Sequence, residues 1–147
     1  MGRSSQYCGA KVTISIHDAS VGVYVPYLQV GEANRHVVLS CALLAGCAPP
    51  VFPDASIDIA GLKARIAATI DFVQGLPREV IDAATDMNVV FTFRSGATRP
   101  FTGKSLILTF SVPQFFFHVA TAYDILRHAG VDLAKKDFLG PPRPPQG

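Results

Sequence analysis

From Ser56 onward, apolar residues recur at steps of three and four: Ile59, Leu62, Ile66, Ile70 and Val73. That spacing sets them on one face of an amphipathic helix, with Lys63, Arg65 and Asp71 off the stripe. Gly75 and Pro77 end it. The pattern then changes. Val89, Val90, Phe91 and Phe93 are strand formers, Ser95-Gly96 supplies a turn, and Thr98 to Phe101 returns, which predicts a small β-hairpin. Thr102 is placed to cap a last helix, Pro113 to bend it and Gly130 to stop it. On a helical wheel, Phe115, Phe116, Val119, Ala122, Tyr123 and Leu126 share one broad arc, with Asp124, Arg127 and His128 opposite. His118 falls on the border between them, in a row with Gln114, Thr121 and Ile125.

The first third is harder to divide. Ser15 and Asp18 form an S-x-x-D capping pattern for one helix. Pro26 kinks or ends it, Gly31 suits a left-handed stop, and Asn34 can cap a second helix reaching about Leu44. The expectation is a short helical hairpin, with one kinked helix as its rival. Residues 37–48 are apolar, but the run is shorter than the roughly 20 residues that span a bilayer, so it reads as a buried helix. The same run contains Leu44-Ala45-Gly46-Cys47, which looks like a lipoprotein cleavage box. It lies far from the N-terminus, and Glu32 and Asn34 stand where a basic region belongs. "PPVFPD" is a connector, and the proline-rich end is a frayed tail.

A chain of 147 residues is the size of one domain. With 49% apolar and 16% charged residues it can build a core and is not a disordered chain. Its net charge of +2 comes from scattered basic residues, with no stripe to neutralise phosphates, so nucleic acid is not an expected partner. Cys8, Cys41 and Cys47 cannot all pair and show no C-x-x-C spacing, which fits a reducing, cytoplasmic setting.

The stretches "ISIHDASVGVYVPYL", "LKARIAATIDFV", "RPFTGKSLILTFSVPQFFFHVATAYDILRHAGV" and "KKDFLG" together resemble the domain of unknown function 1993 family. The longest matches in register from Phe101-Thr102-Gly103 through Phe117-His118 to Arg127-His128, and Asp137-Phe138-Leu139-Gly140 follows. The resemblance implies an all-α fold: a single DinB-like helical bundle domain over residues 13–140, with a small β-hairpin before the last helix. Residues 1–12 and 141–147 are then flexible termini. The chain departs from the family near Leu28. There "VPYL" runs almost directly into what looks like the later part of the family's second helix. The first helical hairpin is therefore shortened. The last helix should then keep uncovered apolar surface, from which a homodimer or poor solubility is expected.

The resemblance also implies a chemistry to test, because many DinB-like bundles hold a divalent metal through three histidines, and some transfer thiols or act on small molecules. Two such ligands commonly stand at i and i+4 on one helix. At those positions His118 has Gln114 and Ala122, and His128 points about 80° away on the wheel. No metal or other cofactor is therefore expected; a divalent ion, if bound, would draw on His118, His36 and His17 from three different helices. P-loop, G-x-S-x-G and G-x-G-x-x-G patterns are absent. Cys41 and Cys47 have apolar neighbours and no basic group at helical spacing, which predicts inert thiols. The expectation is a non-catalytic bundle or one of lost activity, without a membrane partner. The alternative is a metal-associated or small-molecule-binding enzyme using a crevice of His118, Gln114, Thr121 and Tyr123.

Overall fold

The computed structural model describes residues 3–7, 10–14, 19–52 and 58–142, with side chains from residue 28 onward. Two strands, β1 (Arg3–Tyr7) and β2 (Ala10–Ile14), pair antiparallel with Arg3 opposite Ile14. The sequence pattern had placed no element there, since "RSSQY" shows no alternation of apolar and polar residues. The Ser15/Asp18 capping pattern and His17 lie outside the described residues.

The next element corrects the expected helical hairpin. One helix, α1 (Ala19–Ala45), runs through Pro26, Gly31 and Asn34 without a break. Gly31 is absent from the positive-φ glycines, so it makes no left-handed stop. Asn34 caps nothing; its amide donates to the Val30 carbonyl one turn back at 3.0 Å. Tertiary burial overrides these breaker signals. Ala33, Asn34, His36, Val38, Ser40, Ala42 and Leu44 are all buried. A helix covered by neighbours on several sides gains more from staying whole than local propensity takes away. The helix stops at Gly46 (φ 64°), with Cys47 N–H donating to the Ala42 carbonyl at 3.0 Å. The Gly-Cys pair is thus a helix terminus.

Helix α2 (Ile59–Gly75) begins where the periodicity placed it, with Asp58 accepting from Gly61 N–H at 2.7 Å. It lies against α1, and Arg65 Nη2 donates to the Gly31 carbonyl at 3.3 Å. The short α3 (Arg78–Ala83) leads into β3 (Asn88–Thr92), which pairs with β4 (Thr98–Thr102) around Gly96. This is the expected hairpin. Val89 and Phe91 point inward and Val90 outward.

The chain then enters one continuous helical run. Thr102 and Ser105 cap each other's backbone N–H groups at the start of α4 (Gly103–Ser105). A π-helical stretch follows at Leu106–Ser111, then α5 (Val112–His128). Pro113 accounts for the wide turns: it has no N–H for the residue 109 carbonyl, and its ring would crowd that carbonyl in α geometry. Val112 N–H reaches back five residues, to Ile107. Gly130 (φ 87°) ends α5, with Gly130 N–H on Arg127 and Val131 N–H on Leu126. A last turn, α6 (Lys135–Leu139), follows.

Helix α5 packs mainly on α1. The core gathers beneath them from Leu44, Ala84, Val89, Phe91, Leu106 and Phe110. Phe110 is its hub, with ring centroids 5.0 Å from Phe91, 5.7 Å from Phe93 and 5.5 Å from Phe101. The molecule is a helical bundle with a small hairpin, β3–β4, before its last long helix. Among the described residues, Gly103–His128 is long and apolar enough to cross a membrane by length and composition.

Candidate functional site

Because α1 is unbroken, Gln29, Glu32 and His36 lie at i, i+3 and i+7 on one stripe. Helix α5 brings His118 to that stripe. His118 Nδ1 stands 2.6 Å from Gln29 Oε1. The amide oxygen only accepts, so Nδ1 carries the proton and Nε2 keeps a lone pair. The His36 and His118 rings stack at 5.6 Å and 14°. Phe110 meets His36 edge-on at 5.5 Å. His36 is only 7% exposed, and its Nδ1 has no hydrogen-bond partner among the described residues.

These surroundings favour neutral rings. Burial pushes His36 down to about 4, helped by the charge of Arg35 and by His118, against a weaker pull from Glu32. Burial also lowers His118, with Glu32 opposing and Arg35 adding. Burial alone would raise Glu32. Its hydrogen bond and charge contact with Arg35, together with Arg94, outweigh that and leave it lowered. Arg35 holds one Glu32 oxygen at 2.9 Å and Arg94 the other at 3.2 Å.

The geometry does not suit a three-nitrogen metal centre. A ligated ion lies in the plane of each imidazole, about 2.0–2.1 Å from nitrogen. Near-parallel stacked rings direct their lone pairs side by side instead of to one point. The buried methyl of Ala122 stands where a second α5 imidazole belongs, and Glu32 is occupied by two guanidinium groups. Among the described residues no group of three His, Cys, Asp or Glu side chains could hold an ion.

The four residues expected to share a crevice are spread apart. Gln114 lines a cleft of about 310 Å³ with Pro113 and Phe117. Tyr123 lines another, of about 290 Å³, with Arg127, Lys135 and Phe138. Its hydroxyl is buried without a partner among the described residues, and the Arg127 guanidinium lies 5.6 Å from its ring centre. Thr121 turns inward on its own helix, donating to the Phe117 carbonyl at 2.7 Å. His118 lines neither cleft and faces α1. What the sequence reading missed is its meeting with His36 and Gln29. The one available signal was the Gln29/Glu32/His36 spacing, which is visible only if α1 is read as a single helix.

The larger opening lies elsewhere. A groove of about 550 Å³ runs between α1, α2 and α5, lined by residues that include Val37, Cys41, Ile66, Ile70, Val112 and Phe116. Among the described residues, none of those lining it is charged. At its base the Ser111 hydroxyl donates to Ser40, satisfying both buried hydroxyls. Burial pushes the Cys41 thiol up, as does neighbouring Cys47.

Comparison with known proteins agrees with this architecture. The family model described as Domain of unknown function (DUF1993) matches residues 27–139. The crystal structure of a DinB family member protein from Shewanella denitrificans is similar, with 29% identity and a TM-score of 0.69. The match covers 82% of this chain and 68% of that one. No functionally curated protein matches the sequence. With its helices, its hairpin and 27–139 of its residues in that pattern, the chain belongs to the DUF1993 family of DinB-like bundles, for which no catalytic function is established.

Proposed function

We propose that this protein is a non-catalytic bundle that acts by binding, with the open groove as its working surface. One observation carries the reading: the imidazole pair with Glu32 and the groove of about 550 Å³ are in different places. A catalytic pocket needs perturbed acids, bases or nucleophiles where substrate sits. His36, His118 and Glu32 are outside the groove, and the titratable side chain that does line it is Cys41, whose thiol is held protonated. The imidazole pair then serves as a joint between α1 and α5. Leu106, Phe110, Ser111 and Ala122 give Gly103–His128 a face in the bundle core, although only 22% of its apolar window is buried. The reading places the protein in the cytoplasm, without nucleic acid, membrane or cofactor.

A second reading is a divalent metal or small molecule at the imidazole pair. It is favoured by His36 Nδ1, which has no partner among the described residues, and by the lone pair on His118 Nε2. Elemental analysis of the purified protein separates the two. The expected result is no stoichiometric zinc, nickel or iron. Stoichiometric metal that disappears in His118→Ala would overturn the first reading.

A further inference from the structure

We infer that the cleft between α5 and α6 binds a small aromatic oxyanion, a single ring bearing one carboxylate or phosphate group. The cleft shares no lining residue with the groove between α1, α2 and α5, so the inference goes beyond the reading of that groove and is independent of it. Ala120, Tyr123 and Arg127 stand at i, i+3 and i+7 on one stripe of α5, and Lys135 and Phe138 of α6 complete the lining. Phe138 meets the Tyr123 ring edge-on, with centroids 5.2 Å apart. The walls are thus apolar, and the two charged residues that line the cleft are both cations.

Those cations are uncommitted. Among the described residues neither Arg127 nor Lys135 takes part in an ion pair. Asp137 of α6 accepts the Ala134 N–H at 2.7 Å instead. The Arg127 guanidinium lies 5.6 Å from the Tyr123 ring centre, a cation–π contact that restrains its planar fork in advance of a ligand. The Tyr123 hydroxyl is buried without a partner among the described residues, and a buried phenol ordinarily has one. A fork of N–H donors fits the paired oxygens of a carboxylate or a phosphate, and Lys135 adds a second positive charge. An oxyanion also gives the phenol an acceptor. At about 290 Å³ the cleft is at the small end of the roughly 300–1,000 Å³ typical of ligand sites, so the body it takes is one ring in size.

Nuclear magnetic resonance titration of the full chain with benzoate and with phenyl phosphate tests this. The expected result is saturable shifts at the amides of Tyr123, Arg127, Lys135 and Phe138 with at least one of the two, and the tighter binder identifies the head group. Benzyl alcohol, which has the ring without the charge, and acetate, which has the charge without the ring, should each bind at least about tenfold more weakly. Arg127→Gln should weaken the aromatic anion about tenfold, and Lys135→Gln less, because that charge is exposed. Both side chains are exposed, and unchanged amide positions elsewhere show that a variant is folded. Absence of saturable shifts with both anions overturns the inference, as does unchanged affinity in folded Arg127→Gln. Benzyl alcohol binding as tightly as the anions overturns it too, and so do shifts confined to groove residues such as Val37 and Ile66, which would support the groove alone.

Discussion

His118 shows how a border residue on one helix finds its role on another. Its place at the edge of the apolar arc was legible from helical spacing. Its partner was not, because Gln29 is 89 residues away in the chain and no local pattern links them. Glutamine at 118 keeps a donor for Gln29, so His118→Gln should change stability by no more than about 1–2 kcal/mol, the worth of a net hydrogen bond. Chemical denaturation checks this, and a loss well beyond that range would mean that the ring stacking matters more than the bond. The neutral pair also fixes a pH response. The folded state holds His36 at about 4 against its ordinary 6.5, so over that interval the unfolded chain binds the extra proton. Stability is therefore complete above about pH 6.5, falls as pH drops from there, and levels off as far as this group is concerned near pH 4. The full loss is on the order of 3 kcal/mol, and His118, lowered in the same direction, adds to it. Glu32, also lowered, loses its contribution only below its ordinary 4.5. Melting temperatures measured from pH 8 to pH 4 should show this slope, and His36→Phe should flatten it. An unchanged slope in that variant would assign the proton to another group.

Among the elements, those with strong periodicity or firm punctuation were readable in advance. The helix from Ile59 to Gly75, the Val89–Phe101 hairpin and the Thr102 and Gly130 boundaries all stand in the structure, although Ile59 and Ile70 of the apolar stripe are exposed. The first helix was misdivided because Gly31 and Asn34 are breakers only when nothing packs on them, and here burial holds both in the helix. The π turns at Leu106–Ser111 leave no mark in the sequence beyond Pro113, which predicts a disturbance without its form. One junction depends on the absence of a side chain. Gly103 N–H bonds the Met87 carbonyl at 2.9 Å, and a Cβ at Gly103 would run into the Ala84 carbonyl and press on Leu44. Gly103→Ala should cost at least about 1–3 kcal/mol, as overpacking does. Thr102→Ala, losing only its cap, should cost about 1 kcal/mol. Denaturant midpoints of the two variants give the order, and a milder Gly103→Ala would show that the α3–β3 loop yields.

For the whole molecule, the helical bundle was legible through apolar content and the family motifs, while the groove was not. The groove lies where α1, α2 and α5 converge, which is a property of assembly that no one stretch of sequence contains. The α1–α5 joint has a further consequence, in time. Ser40 and Ser111, which meet at the base of the groove, are 71 residues apart. At about 5–20 residues per second, the ribosome needs roughly 4 to 14 s between making one and making the other. Through that interval Ala33, Val38 and Ala42 have no α5 to cover them, and the core residues Leu106 and Phe110 are among the last of the core to arrive. The nascent chain is therefore a client for chaperones that hold apolar segments. Ribosome-bound chains stalled short of Leu106 should be cut by protease within α1, and chains with Gly130 clear of the exit tunnel should be protected there. Equal protection at both lengths would mean that α1 finds its cover before the last helix is made.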